Sequence, residues 1–136
     1  MDLQARQQFL ANTTLLGSLP TEMLEVLARD VTLRELSNGE TLIHQGQDGS
    51  SLYVVVDGRF EARKLSAEVP PRVTPLGQIS RGEAVGELAA LSGQPAMCSV
   101  VAVRESRVLE LRRADFLALV AQQPAALFGI TQELIR

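Results

Sequence analysis

The chain has 136 residues, 46% of them apolar and 21% charged, a composition that is typical of about one globular domain and excludes a disordered chain. Its net charge of −3 provides no basic surface large enough to cover a phosphate backbone, so we predict no direct contact with nucleic acid. A single cysteine excludes an internal disulfide, and no apolar run approaches the roughly 20 residues that span a bilayer, so we expect a cytoplasmic location and no transmembrane segment.

Two helices are predicted at the N-terminus. Leu3 and Phe9 recur among polar residues at roughly helical spacing, which predicts a short helix over residues 3–12. A second helix is predicted to begin at Pro20, because proline is favoured in the first helical position and an acidic residue, Glu22, follows in the first turn.

From Val31 onward the period of the pattern changes from helical to extended. Short apolar stretches alternate with turn dipeptides, of which Asn38-Gly39 and Asp57-Gly58 are the clearest. Because no crossover helices separate these stretches, we predict an antiparallel roll or sandwich of about eight strands rather than a parallel sheet. The predicted roll extends from residue 31 to residue 112.

Two further features of the roll are predicted from local pattern. Residues 66–72 contain two prolines between polar residues and are predicted to form the solvated tip of a hairpin. The segments SVVAVRES and RVLELRR are predicted to form the last pair of strands, joined by a turn at Glu105-Ser106.

The most informative stretch lies between Gly82 and Val103, and it predicts a strand that turns abruptly into one helical turn. Gly86 can adopt backbone angles closed to other residues, and Glu87, Leu88 and Ala89 are then expected to open the helix. The first amides of a helix have no intrahelical partner, and the positive end of the helix dipole favours an anion. The stretch therefore predicts an anion site.

This stretch resembles the phosphate-binding cassette of the cyclic-nucleotide-binding domain family, in which Gly-Glu-Leu-Ala is followed by a loop, Pro-Arg and two small residues. Gly-Glu-Leu-Ala is present from Gly86, and Pro95 stands at the position of the family's proline. The resemblance extends to the spaced glycines Gly39, Gly46, Gly49, Gly58 and Gly82. It implies a catabolite-activator-like antiparallel β-roll (a jelly roll) that binds cyclic AMP or cyclic GMP. The residues implied to bind the ligand are Gly86, Glu87, Leu88, Ala89, Ala96, Met97, Cys98 and Ser99.

One residue departs from the family's pattern, because Ala96 stands where the family has the arginine that neutralises the phosphate. A charge-assisted hydrogen bond contributes about 1.5–3 kcal/mol, so its loss predicts cyclic nucleotide binding that is weak, altered or lost. Met97 is large and is expected to fill part of the phosphate position. The alternatives are an intact cyclic AMP or cyclic GMP sensor and a site for another small anion or a lipid headgroup.

A basic residue elsewhere in the sequence is an alternative source of the positive charge that Ala96 does not supply. The basic residues near the end of the roll are interpreted mainly as a solvated or partner-binding surface, with one of them, or Arg81, as a possible substitute for the missing arginine. The members of this basic set are Arg104, Arg107, Arg112 and Arg113.

Enzymatic alternatives have little support in the sequence. A jelly-roll metal enzyme needs several imidazoles around its metal, whereas His44 is the only histidine and is interpreted as a strand residue bonded to a neighbour. Neither the hydrolase pattern G-x-S-x-G nor a nucleotide-binding G-x-x-x-x-G-K-[ST] loop occurs. Cys98 is interpreted as a small core residue. We therefore predict a regulatory domain that is not itself an enzyme.

The C-terminal residues 113–136 are predicted to be helical, with Phe116 and Val120 on one face and a second segment starting at Ala126. The family resemblance implies that this region covers the nucleotide base and pairs two copies in a homodimer.

The amino-acid sequence of the cassette is also similar to that of the regulatory repeats of bacterial patatin-like phospholipases of the neuropathy-target-esterase type. That likeness implies a covalently linked effector domain, for which a transcription regulator is the alternative. The predicted layout is one domain with N-terminal helices over 1–30, a roll over 31–112 that contains a cassette at 82–99, and C-terminal helices over 113–136.

Overall fold

The computed structural model describes residues 1–13, 16–48 and 51–122, which form four helices and eight strands. In chain order these elements are α1 (Leu3–Ala11), α2 (Thr21–Asp30), β1 (Thr32–Leu36), β2 (Thr41–Ile43), β3 (Leu52–Asp57), β4 (Phe60–Leu65), β5 (Val73–Ile79), β6 (Ala84–Val85), α3 (Glu87–Ser92), β7 (Ser99–Ala102), β8 (Ser106–Leu111) and α4 (Arg113–Gln122).

The strands form two four-stranded antiparallel sheets, in the orders β1-β8-β3-β6 and β2-β7-β4-β5. Among the described strands, only β4 and β5 are both consecutive in the chain and paired with each other. Every other connection carries the chain from one sheet to the other, which is the arrangement of a roll. The predicted antiparallel β-roll with flanking helices is confirmed.

The prediction that SVVAVRES and RVLELRR form a pair is wrong. β7 pairs with β2 and β4, whereas β8 pairs with β1 and β3 in the other sheet. A bend at residues 103–105 joins them, and β8 begins at Ser106. The reason is that each strand has neighbours on both sides within its own sheet, so neither edge is available for a hairpin.

Two apolar clusters explain why the sequence of β3 is an almost unbroken run of apolar residues. Its side chains alternate between faces, so that Val54 and Val56 join an outer cluster beneath the helices, while Tyr53 and Val55 join an inner cluster between the sheets. Both faces of this strand are therefore buried, which is the condition under which a strand loses its polar alternation.

The helices and the long loop agree with the sequence predictions. α1 is capped by Asp2, whose Oδ1 accepts a hydrogen bond from the Ala5 amide at 2.7 Å, and α2 follows directly on Pro20. Residues 66–72 connect β4 to β5 as the predicted hairpin tip, with Val69 97% exposed. Within the described ranges, no helix combines the length and the apolar character needed to cross a membrane. The predicted second C-terminal helix lies outside the described residues.

Candidate functional site

The predicted strand-turn-helix is present at Gly86. β6 ends at Val85, Gly86 adopts a left-handed conformation with φ 88°, and α3 begins at the next residue. The Gly86 carbonyl accepts the first helical hydrogen bond, from the Ala90 amide at 2.9 Å. A Cβ built on Gly86 would lie 2.5 Å from the carbonyl oxygen of Ser51, so both the angle and the space require glycine here. This glycine fixes the direction in which α3 leaves the roll.

The loop after α3 holds Ala96 by its backbone on both sides. The Ala96 amide donates to the carbonyl of Gln47 at 2.9 Å, and its carbonyl accepts from the Gly46 amide at 2.8 Å. Ala96 is 8% exposed and belongs to the inner cluster. Because two hydrogen bonds fix the backbone, a longer side chain at this position would start from a defined point on the wall of the site.

A cavity of about 370 Å³ opens between α3, the loop that follows it and the inner faces of the strands. This volume lies within the range of small-molecule sites, roughly 300–1,000 Å³. Seven of the eight residues predicted to bind a ligand line it: Gly86, Glu87, Leu88, Ala89, Ala96, Met97 and Cys98.

Ser99 is the exception among the predicted site residues. It is buried at the start of β7, outside the cavity lining, and its Oγ accepts a hydrogen bond from the Gln45 amide at 2.9 Å. Its hydroxyl thus supports the loop before β3 rather than the cavity wall.

Sequence reasoning missed the walls that more distant strands supply. Ile43 from β2, Ala62 from β4, Ile79 from β5 and Val100 from β7 also line the cavity. The two-residue period of β4 offered one signal, because Ala62 shares a face with the fully buried Phe60. The pairing of β4 with β7 and β5, which brings the other walls together, had no local signal. The remaining lining residues are Ala84, Val85, Ser92, Gln94 and Pro95.

The lining carries little charge, and what it carries is negative. Among the described residues that line the cavity, Glu87 is the one carboxylate and none is arginine, lysine or histidine. Burial raises the pKa of the Cys98 thiol, an effect that the nearby Lys64 ammonium opposes, so the thiol is neutral near pH 7. Cys98 packs against the inner cluster as a partly buried residue. The cavity lining is therefore mainly apolar, and Glu87 is the one acidic residue among its described members.

Met97 of the cassette and His44 after β2 are both exposed, and the prediction for His44 is wrong. Met97 lines the cavity at its rim, with 69% of its surface exposed. Its carbonyl accepts a hydrogen bond from the Nζ of Lys64 at 2.9 Å, and this bond holds the rim to β4. His44 follows the last residue of β2 and is exposed, so it is not a strand residue.

Arg113 is the one member of the predicted basic set whose hydrogen bond reaches α3 in the described structure. Its Nε donates to the carbonyl of Ala90 at 2.9 Å, near the C-terminal end of that helix and outside the cavity lining. The other arginines bond elsewhere: Arg81 to the Val56 carbonyl, Arg104 to the Gly58 carbonyl, Arg107 to Asp57 and Arg112 to Asp115. None of these contacts brings a guanidinium to a residue that lines the cavity.

The hydrogen bond from Arg113 joins α3 to α4, and its removal should be measurable. A guanidinium at a helix C-terminus satisfies a terminal carbonyl and opposes the negative end of the dipole. We expect Arg113→Ala to lower the free energy of unfolding by about 1.5–3 kcal/mol, measured by urea denaturation. Arg112→Ala is the matched control, since that side chain is 79% exposed and pairs with Asp115 at 3.3 Å. Equal losses in the two variants would contradict the role of the Ala90 contact.

No group of three or more metal-binding side chains comes together within residues 1–13, 16–48 and 51–122.

The comparisons with known proteins agree with this geometry. A family model described as a cyclic nucleotide-binding domain matches residues 33–123. The cAMP-dependent protein kinase regulatory subunit of Mycosarcoma maydis is 33% identical over 106 residues, which are 78% of this chain and 20% of that protein. An NTE family protein of Mycobacterium bovis is 28% identical over 115 residues, 85% of this chain and 19% of that protein. The chain thus spans about one fifth of the length of these curated relatives.

Among solved structures, the regulatory subunit of a cAMP-independent protein kinase A from Trypanosoma cruzi, bound to guanosine, superposes with a TM-score of 0.80. It is 29% identical, and the match covers 88% of this chain and 41% of that chain.

Proposed function

This chain belongs to the cyclic nucleotide-binding domain family, and we propose that it is a regulatory domain with no catalytic groups of its own, whose affinity for cyclic nucleotides is lowered because its cassette lacks a cation. The observation that carries the proposal is Ala96. It lines the cavity immediately after Pro95, at the position of the family's arginine, with its backbone held on both sides.

The energetic consequence follows from the charge of the ligand. A cyclic nucleotide places one negative charge in a cavity whose lining includes Glu87 and no basic residue among those described. Burying an anion without a partner is unfavourable, and the missing charge-assisted hydrogen bond is worth about 1.5–3 kcal/mol. We expect affinity to be about 10- to 100-fold below that of the same cassette with arginine.

A second candidate function is an intact cyclic AMP or cyclic GMP sensor, and one observation favours it. Lys64 approaches the cavity rim, where its Nζ donates to the Met97 carbonyl at 2.9 Å from an exposed position. The four-carbon stem of lysine is flexible, so a bound phosphate is able to compete for this ammonium. The name of the Mycosarcoma maydis relative, a cAMP-dependent regulatory subunit, supports the same alternative.

The relatives also support the setting of the domain in a longer protein. Because the NTE family relative extends far beyond the matched residues, we propose that an effector domain, such as a patatin-like phospholipase, is covalently linked to this domain in a longer protein. A transcription regulator is the alternative effector. A cytoplasmic location and a homodimer formed through residues 113–136 belong to the same proposal, and another small anion remains a second class of ligand.

The experiment compares cyclic AMP and cyclic GMP binding to the wild-type chain, Ala96→Arg and Ala96→Gln by isothermal titration calorimetry. We expect Ala96→Arg to bind one of the two about 10- to 100-fold more tightly than wild type. Ala96→Gln controls for side-chain length without charge and should bind like wild type. Since Ala96 is 8% exposed, thermal melting verifies that each variant folds.

Two outcomes contradict the proposal. Wild-type binding with a dissociation constant below about 1 μM would rule out impaired affinity whether or not the variants fold. If Lys64→Met then removed that binding, the intact sensor with a substitute cation would be the better account. Equal gains in the arginine and glutamine variants would show that length, and not charge, limits binding.

A further inference from the structure

The cavity beside α3 has the lining of a site for an uncharged ligand. One side is formed by aliphatic side chains from three strands, Ala62, Ile79 and Val100. The polar members of the lining lie on or just after α3, among them Glu87 and Gln94. An apolar wall facing a few polar groups is the usual lining of a small-molecule site, and it suits a ligand that is itself apolar at one end and hydroxylated at the other.

The polar side matches sugar hydroxyls better than it matches an anion. An ionised carboxylate only accepts hydrogen bonds and has several lone-pair positions, so Glu87 is able to accept from a hydroxyl in addition to its contacts within the protein. The Gln94 side chain can both donate and accept. By contrast, a phosphate near the Glu87 carboxylate would bring two like charges together.

No cation in the described lining offsets that repulsion. Lys64 reaches the rim, where its ammonium is exposed and donates to the Met97 carbonyl. The guanidinium of Arg113 is bonded to Ala90 at the other end of α3. A ligand without a phosphate does not need the group that Ala96 lacks, so removing the phosphate should improve binding here, whereas it would weaken binding to a cassette with arginine.

We propose that this cavity binds an uncharged nucleoside, a base on a sugar without phosphate, in preference to the corresponding cyclic nucleotide. The base would lie against the aliphatic wall and the sugar hydroxyls would face Glu87 and Gln94. This inference rests on the proposed regulatory function and names the class of ligand for the same site.

The test measures adenosine and guanosine against cyclic AMP and cyclic GMP by isothermal titration calorimetry on the full 136-residue chain. We expect at least one nucleoside to bind at least about 10-fold more tightly than its own cyclic monophosphate. Ala96→Arg should reverse that order, and Ala96→Gln should keep it. Ala62→Phe, which places a ring in the cavity from the β4 wall, should reduce nucleoside binding at least about 10-fold with the chain still folded by thermal melting.

The outcomes separate this inference from the proposal on which it rests. If no nucleoside binds at about 1 mM but Ala96→Arg binds a cyclic nucleotide, the inference fails and the impaired-cassette proposal stands. If wild type binds a cyclic nucleotide below about 1 μM and more tightly than the nucleoside, both fail. Nucleoside binding that folded Ala62→Phe leaves unchanged would place the ligand outside this cavity and would overturn the inference.

Discussion

Replacing Gly86 with alanine is expected to lower the free energy of unfolding by about 2–5 kcal/mol and to displace α3 from the cavity. Two costs add at this residue. A left-handed conformation costs a residue with a Cβ about 1–2 kcal/mol, and Gly86 has φ 88°. The new methyl group would also lie 2.5 Å from the Ser51 carbonyl oxygen, and crowding of this kind costs about 1–3 kcal/mol.

The Ser51 carbonyl has little freedom to move away from that methyl group. Ser51 is 9% exposed, and its hydroxyl donates to Oε2 of Glu110 on β8 at 2.6 Å. The neighbouring residue, Leu52, starts the central strand β3 and is fully buried. We therefore expect α3, rather than β3, to be displaced. The cavity would then lose one wall, and ligand binding would be lost with it.

Gly82→Ala is the matched control for Gly86→Ala. Gly82 has nearly the same backbone angle, φ 85°, but no atom lies within 4 Å of a Cβ built there. Its replacement should therefore cost only the conformational part, about 1–2 kcal/mol. Urea denaturation of both variants gives the difference. Equal losses would contradict the argument that the Ser51 contact excludes a side chain at residue 86.

The cassette was predictable from the sequence because its signals are local. A glycine, an acidic residue and three helix formers within one turn specify a strand that becomes a helix, and the structure has this turn at Gly86. The turn dipeptides were also placed correctly, but they do not identify which strands pair. Asp57-Gly58 joins β3 to β4, and these strands belong to different sheets. A turn signal specifies where the chain reverses and carries no information on which strand lies alongside.

Predicting the walls of the cavity requires knowing which strands pair, and turn signals do not provide this. Ala62 and Ile79 reach the cassette because β4 and β5 form a hairpin beside β7. The position of Arg113 has the same origin, since its bond to Ala90 joins residues that are 23 apart in the chain. Contacts over such separations are decided by tertiary packing, and a local pattern cannot place the end of a long flexible side chain.

Phe116→Ala is expected to have the largest effect on stability of the substitutions considered, about 3–5 kcal/mol. The ring is fully buried and belongs to the outer cluster together with Ala90 of α3 and Leu111 of β8. Its removal would leave a cavity between α4 and the rest of the domain. Leu117→Ala controls for loss of a large side chain in the same helix turn, because Leu117 is only half-buried and should cost about 2 kcal/mol or less.

The same variant tests whether the cassette and α4 behave as one unit. Ala90 belongs to the same buried cluster as Phe116, and its carbonyl accepts the hydrogen bond from Arg113, so a shared cluster and a hydrogen bond join α3 to α4. We expect Phe116→Ala to speed amide hydrogen exchange across residues 87–92 as well as in α4, since local opening spreads through elements that share a buried cluster. If exchange rises in α4 while α3 keeps its protection, the cassette is held by the roll alone. A ligand in the cavity would then have no packed route by which to shift the C-terminal helix.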